Sequence, residues 1–309
     1  MINTVTLNPA MDEILYIKSF EFNQMNRIQK KETCLGGKGT HLAYNLSLLG
    51  APNATYGISF GRRGREVIDI LEDCGAATRY LWYEAPETRT NYLIIDEKKN
   101  CTFLGSKGET LTADMTDKLL ELMKNNVKAG DILIIAGDAS NARDKEVSDK
   151  MLKLADQSGL TLYLDSSGAF LKTGIEYNPF LIKPNQQEFC ELTGKEFNTA
   201  GEIAEELKGF NSVPAVMVSL GGDGWLFKYK DEILRGFPLK VDVANTAGCG
   251  DALLTGLCYG FSQGEPLLDI LAYATALSAS CAKMPQTIGF DPKWASEHKS
   301  KVKIEKLQF

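Results

Sequence analysis

Apolar residues recur along the chain in two rhythms. From residue 113 onward, strand-length apolar runs at 132–136, 160–165, 180–183 and 215–220 alternate with helical segments at 113–128, 144–157, 168–173, from Asn185, and 199–208. Runs that are apolar on both faces and separated by helices predict a parallel sheet covered on both sides, with ligands at the strands' carboxyl ends. The first hundred residues are less regular. A strand at 2–7 ends in the turn Asn8-Pro9-Ala10, and strands at 14–17 and 25–33 follow without an intervening helix. After Gly36-Gly37-Lys38-Gly39 comes a helix with Leu42, Ala43, Leu46 and Leu49 on one face and Gly50 at its end. A strand at 54–59, a helix at 66–74 and a strand at 79–83 precede two strands, 89–96 and 101–104, joined by a turn at 97–100. The strands that lack helices between them predict a small sheet projecting from the main body. After a strand at 225–229 the chain reads as helical over 252–262 and 266–283, with Trp294 in a last helix.

Composition narrows the class. The 309 residues are 44% hydrophobic and 24% charged, ordinary for a globular protein with a sizeable core. A net charge of −6 argues against a general nucleic-acid or anionic-membrane binder and favours small-molecule partners. Seven cysteines without a CxxC pair, and only two histidines, His41 and His298, argue against a disulfide framework or a zinc site and for a reducing cytoplasm. No apolar run approaches the roughly 18 residues needed to span a bilayer, and the N-terminus lacks the pattern of an export signal.

The most informative stretch is Asn245-Thr246-Ala247-Gly248-Cys249-Gly250-Asp251, which runs directly into an apolar helix. Two glycines one residue apart permit a tight turn, and the helix that follows aims unpaired N–H groups and the positive end of its dipole at whatever lies in front. That arrangement suits an anion. A carboxylate placed there would repel a phosphate, but it can take a proton from an attacking hydroxyl, so Asp251 reads as a general base; as a plain helix-start residue it would also suit the dipole. The glycine loop carrying Lys38 forms a second loop-to-helix junction and is not a Walker A motif, because Gly39 occupies the place of the Ser or Thr. Arg89 and Asn91, two apart on a strand, emerge on one face and could clamp an anionic sugar derivative, or equally be exposed strand positions. Asn185-Gln186-Gln187-Glu188 also reads as a capping box, and 219–224 as a hairpin turn. Both follow a strand's carboxyl end.

In order along the chain, Thr6-Leu7-Asn8-Pro9-Ala10 with Asp12, Asn26-Arg27, Gly36-Gly37-Lys38-Gly39, Arg89 with Asn91, Lys183-Pro184-Asn185 with Glu188, Ser219-Leu220-Gly221 with Gly224, and Gly248-Cys249-Gly250-Asp251 resemble the ribokinase-like, phosphofructokinase-B type carbohydrate kinases. Within them the opening and the Lys-Pro-Asn element are most similar to the 1-phosphofructokinase and tagatose-6-phosphate kinase branch. The resemblance implies a three-layer α/β/α sandwich with a mostly parallel central sheet, formed by 1–10, 36–85 and 110–309, and a β-sheet lid formed by 11–35 and 86–109. It implies ATP with Mg2+ and a homodimer through the lid. Carried over by position, Asp251 is the base and Gly248, Cys249 and Gly250 supply the anion hole. Asp12, Gly37, Lys38, His41 and Asn91 hold the sugar, with Arg27 and Arg89 on its phosphate. Lys183, Asn185 and Glu188 serve the nucleotide phosphates, the last two also Mg2+ indirectly, and Ser219, Gly221 and Gly224 lie along the nucleotide.

The chain departs from this pattern at several places. His41 stands where Asn is usual, Tyr44 where Arg often is, Asn245 where Asp opens the last motif, and Cys249 where Ala is usual between the glycines. Lys107-Gly108 replaces a Gly-Pro, and Gly137-Asp138-Ala139-Ser140 replaces a Gly-Ser-Leu-Pro. The function expected is ATP-dependent phosphorylation of fructose 1-phosphate to fructose 1,6-bisphosphate. Tagatose 6-phosphate is the nearest alternative acceptor, and a catalytically weak sugar-phosphate-binding protein of the same fold is the alternative from another class.

Overall fold

The computed structural model describes residues 1–137, 139–142 and 146–308. The chain opens with β1 (Ile2–Thr6), β2 (Ala10–Ile17), β3 (Ile28–Gly36), α1 (Lys38–Leu48), β4 (Asn53–Phe60), α2 (Gly61–Asp73), β5 (Ala77–Tyr83), β6 (Arg89–Ile95) and β7 (Cys101–Leu104). The alternating part follows as α3 (Ala113–Lys124), β8 (Ile132–Ala136), α4 (Val147–Gln157), β9 (Thr161–Asp165), α5 (Gly168–Ile175), β10 (Leu181–Ile182), α6 (Gln186–Thr193), α7 (Ala200–Gly209) and β11 (Ala215–Ser219). It closes with β12 (Trp225–Tyr229), β13 (Glu232–Gly236), α8 (Cys249–Gln263), α9 (Leu267–Ala282), α10 (Pro292–His298) and β14 (Ile304–Lys306).

The main sheet has the order β14-β13-β12-β11-β10-β9-β8-β1-β4-β5. From β5 through β11 every pairing is parallel, and β11 through β14 are antiparallel. Strand alternation divides the core in two. Val5, Leu133, Ile135, Leu162, Leu164 and Val216 face one side, where they meet Leu119, Met151, Phe189 and Leu207 of the covering helices. Ile134, Tyr163, Met217 and Phe227 face the other, against Leu42 and Leu46 of α1, Leu254 and Leu257 of α8, and Leu271 of α9. Burial on both faces is what the unbroken apolar runs require. The result is a three-layer α/β/α sandwich with a mostly parallel sheet, and every parallel strand delivers its carboxyl end to one edge.

A second, smaller sheet has the order β3-β2-β6-β7, with β2 and β6 parallel and the outer pairs antiparallel. Its Met11, Ile14, Leu35 and Leu93 join Val67 and Leu71 of α2 in one apolar cluster. Ile28, Tyr92 and Leu104 of this sheet, and Phe22 and Met25 between β2 and β3, are exposed.

Several sequence expectations shift. The strand expected at 14–17 begins at Ala10, because β1 passes into β2 through a turn of only three residues, and the one expected at 25–33 is displaced to Ile28–Gly36. Ala10 and Gly36, allotted to the main domain, therefore pair within the smaller sheet. Strands β13 and β14 were not expected. The first is a hairpin return beside β12, and the second is a short charged edge strand without an apolar rhythm. The expected helix 144–157 is present as Val147–Gln157; its start, like Asp138, lies outside the described residues.

Candidate active site

The loop 245–250 separates two cavities. One, of 410 Å³, is lined by Thr6 at the end of β1 and Asn8 just after it, Asp12 on β2, Lys38 and His41 on α1, Arg89 and Asn91 on β6, Ala136 at the end of β8 and Gly137 just after it, and Ala247 of the loop itself. The other, of 620 Å³, lies on the far side and is lined by Thr246, Cys249 and Gly250 of the same loop, by Ser219, Gly221 and Gly224, and by apolar Val241, Val243, Leu253 and Ala282. Both volumes fall in the range of small-molecule sites, roughly 300–1,000 Å³.

Gly248 forms the N-cap of α8 in the left-handed region, with φ 77°, and a Cβ there would stand 1.8 Å from the Thr287 carbonyl oxygen. Only glycine meets both demands. The turn leaves the Gly250 and Asp251 N–H groups without backbone partners among the described residues, so the helix start presents free donors. Lys183 comes close to them: a Cβ on Gly250 would lie 3.5 Å from its Nζ. Asp251, in the first turn, is buried, and its Oδ2 lies 2.7 Å from His41 Nδ1.

Beneath this helix start sits Asp165, the last residue of β9. It is buried, with Lys38 Nζ at 3.0 Å from Oδ1 and Lys183 Nζ at 3.1 Å from Oδ2. Burial pushes its carboxyl upward, but Lys183 and Lys38 outweigh that and hold it below the usual carboxylate range. Lys38 is in turn held above the usual lysine range: burial would lower it, and Asp165 and Asp251 more than offset this. The Lys38 ammonium therefore stays charged next to the start of α8.

On the opposite wall, Asn91 Nδ2 donates to Asp12 Oδ1 at 2.9 Å, and the Thr287 hydroxyl donates to Asp12 Oδ2 at 3.1 Å. Strands β2 and β6 align these residues directly, Asp12 opposite Asn91 and Ala10 opposite Arg89. A Cβ at Gly36 would fall 2.0 Å from Asp12 Oδ1, so the carboxylate occupies the space that glycine leaves. Arg89 lines the same cavity, with its Nη1 and Nη2 donating to the carbonyls of Ser106 and Asn8 at 2.8 and 2.9 Å.

Asn185 and Glu188 form a complete capping box: the Asn185 side chain accepts from the Glu188 N–H, and Glu188 Oε2 accepts from the Asn185 N–H at 2.8 Å. A backbone bridge brings Asn185 beside Ser219. The structural reading of this motif is thus present. Glu188 Oε1 stays outside the cap, and Glu188 lies near enough to Lys38 to raise it further.

Residues 5–294 match the model of the pfkB family carbohydrate kinases. The chain belongs to this family. It is 27% identical to 1-phosphofructokinase of Borreliella burgdorferi over 288 residues, covering 91% of this chain and 92% of that protein. It is also 27% identical to 1-phosphofructokinase of Haemophilus influenzae over 280 residues, covering 89% of each. Phosphofructokinase-2 of Escherichia coli, solved with substrates and products, shares the fold with a TM-score of 0.89 at 21% identity, covering 97% of this chain and 98% of that one.

Set against the pfkB family resemblance, the structure brings Asp12, Gly37, Lys38, His41, Arg89 and Asn91 to one cavity and Cys249, Gly250, Ser219, Gly221 and Gly224 to the other. It does not bring Arg27 there. That residue is exposed in the turn before β3, away from the cavity lining, because β3 starts only at Ile28. His41, expected to touch the sugar, also spends its Nδ1 on Asp251. Sequence reasoning missed Asp165 and Thr287. The first carried a signal, an acidic residue closing an apolar parallel strand, whereas Thr287 has none in its neighbourhood. The Asn245 departure from the family has a physical reason. Its Nδ2 faces the carbonyl oxygens of Met284, Pro285 and Gln286 at 2.9, 2.9 and 3.1 Å, and its Oδ1 accepts from the Ala247 N–H. A carboxylate could make the last bond and none of the first three.

Proposed function

We propose that this chain is an ATP-dependent kinase that phosphorylates fructose 1-phosphate to fructose 1,6-bisphosphate. The observation that carries the reading is the loop 245–250, whose two sides line two different cavities while its helix start carries Asp251. A donor in the more apolar cavity and an acceptor in the polar one would meet at that helix start. Asp12 and Asn91 offer hydrogen bonds to sugar hydroxyls, and Arg89 offers charge to the existing phosphate once its guanidinium exchanges its two carbonyl partners. The names of the two bacterial relatives favour fructose 1-phosphate over tagatose 6-phosphate.

Such a transfer asks for positioning and charge neutralisation. The free N–H groups at the start of α8, with Lys38 and Lys183, supply the second, and Asp251 takes the acceptor's proton. Mg2+ fits the residues present. Among the described residues no cluster of three or more acidic, His or Cys side chains forms a cage. Glu188 keeps a carboxylate oxygen outside its cap, the hard donor expected for an ion held mainly by waters and nucleotide phosphates. Bound there, Mg2+ would neutralise phosphate charge.

The exposed apolar residues Ile28, Tyr92 and Leu104 of the smaller sheet, with Phe22 and Met25 beside its strands in sequence, support a homodimer through that sheet. All seven cysteines are free thiols, which supports a reducing compartment, and among the described residues no helix is long and apolar enough to cross a membrane. A coupled ADP-release assay across fructose 1-phosphate, tagatose 6-phosphate, fructose 6-phosphate and free fructose tests the assignment. The highest kcat/KM is expected for fructose 1-phosphate. A preference for tagatose 6-phosphate would reassign the acceptor, and no sugar-phosphate-dependent ADP release would overturn the kinase reading.

A further inference from the structure

The ring of His41 is wedged between two acceptors. Nε2 lies 3.0 Å from the Leu35 carbonyl oxygen and Nδ1 lies 2.7 Å from Asp251 Oδ2. A carbonyl oxygen only accepts, so Nε2 carries a hydrogen. One further proton must then sit between Nδ1 and Oδ2, since two bare lone pairs at that separation repel. If it rests on Asp251, the acid is neutral and cannot receive a proton from a hydroxyl. If it rests on Nδ1, the ring is an imidazolium and Asp251 remains a carboxylate.

The surroundings choose the second state. The charged groups facing the ring are Asp251 from α8 and Asp12 from β2. From β3 come the Leu35 carbonyl and the Cys34 thiol, which pairs with Thr287 at 3.2 Å. Lys38, one turn earlier on α1, donates to Asp165, and its charge also acts on Asp251. Burial opposes a charged imidazole, but the Asp251 bond and the two carboxylates outweigh it and raise the His41 pKa above its ordinary value.

We propose that His41 is a positioning residue for phosphoryl transfer: as an imidazolium it donates from Nδ1 to Asp251 Oδ2, which leaves Oδ1 as the atom that takes the acceptor's proton. The inference rests on the reading of Asp251 as the base. In that step the acceptor oxygen bonds to the γ-phosphorus of ATP, the bond from that phosphorus to the β,γ-bridging oxygen breaks to release ADP, and the hydroxyl proton passes to Asp251 Oδ1. Among the described residues nothing else hydrogen-bonds the Asp251 carboxylate, so the ring supplies the directional contact that orients it. When the ring loses its proton at alkaline pH, Nδ1 stops donating and the carboxylate is no longer held. An Asn at this place would donate from its amide nitrogen at any pH. His41 thus gives the reaction an alkaline limit that an Asn would not.

The test compares the pH dependence of kcat for the wild type, His41→Asn and His41→Ala. Wild-type kcat is expected to fall on the alkaline side and His41→Asn to lack that limb. His41→Ala should lose on the order of 10²-fold in kcat, the scale of a misplaced catalytic group, with KM for ATP little changed. Nitrogen NMR of labelled histidine gives an independent reading, since the chain has only two histidines and His41→Asn assigns the missing signals. Both His41 nitrogens should be protonated near neutral pH. An unchanged alkaline limb in His41→Asn, or a neutral His41 ring near neutral pH, would overturn the proposal. Asp251→Asn separates the two layers: retained turnover would remove the base reading itself, whereas lost turnover with an unaltered His41→Asn profile would remove only the role of His41.

Discussion

Lys38 and Lys183 reach the same buried carboxylate, Asp165, from opposite sides, at 3.0 and 3.1 Å. The first lysine starts α1 and the second follows β10, so a single acidic residue ties the glycine loop to the carboxyl end of β10. Replacing Asp165 by Asn should remove the carboxylate that both lysines contact. Because Lys38 is partly solvated, the loss in unfolding free energy is expected near the lower end for a broken buried pair, roughly 3 kcal/mol. Asp165 titrates below its unfolded range, so its contribution is present above about pH 3.9 and is lost as pH falls through the folded pKa. Denaturant titrations at neutral and acid pH check this: the gap between wild type and Asp165→Asn should narrow on acidification.

Asn245→Asp restores the residue usual in related sequences and should nevertheless destabilise this chain. It places acceptors where three carbonyl oxygens already converge, and an unsatisfied buried polar group costs roughly 1–3 kcal/mol. Thermal unfolding should show a lower Tm, and an unchanged Tm would show that the three carbonyls do not fix the identity of this residue.

Arg89→Ala should act on the acceptor's phosphate. Losing a charge-assisted hydrogen-bonding group of about 1.5–3 kcal/mol raises KM for fructose 1-phosphate about 10- to 100-fold, with kcat changed less. Steady-state kinetics with ATP saturating measure it, and an equal loss on unphosphorylated fructose would remove Arg89 from the phosphate.

Ile28 stands half exposed at the start of β3, and Met25 and Phe22, a few residues earlier in the chain, are also exposed. If the smaller sheet joins two copies, sedimentation is expected to show a dimer for the wild type and a monomer for Ile28→Glu. If both sediment alike, the apolar side of that sheet is not the interface.

Much of this was legible in the chain itself. The apolar runs of β8, β9 and β11 announced a doubly covered parallel sheet, whose strands deliver their carboxyl ends to the edge where the candidate residues gather. What escaped was set by contacts distant in sequence. Asn245 answers to carbonyls 39 to 41 residues away, His41 to Asp251 across 210 residues, and Asp12 to Thr287 across 275. Local pattern cannot report such partners. Strand β14, Ile304-Glu305-Lys306, escaped for another reason: as a short edge strand it buries too little to leave an apolar rhythm.

The most direct test of phosphoryl transfer at Asp251 pairs an ATP-binding titration with ADP release on fructose 1-phosphate, for wild type and Asp251→Asn. The variant should bind ATP as the wild type does and turn over by a factor on the order of 10² to 10⁴ more slowly, the contribution of a positioned general base. Turnover within a few fold of wild type would contradict the account.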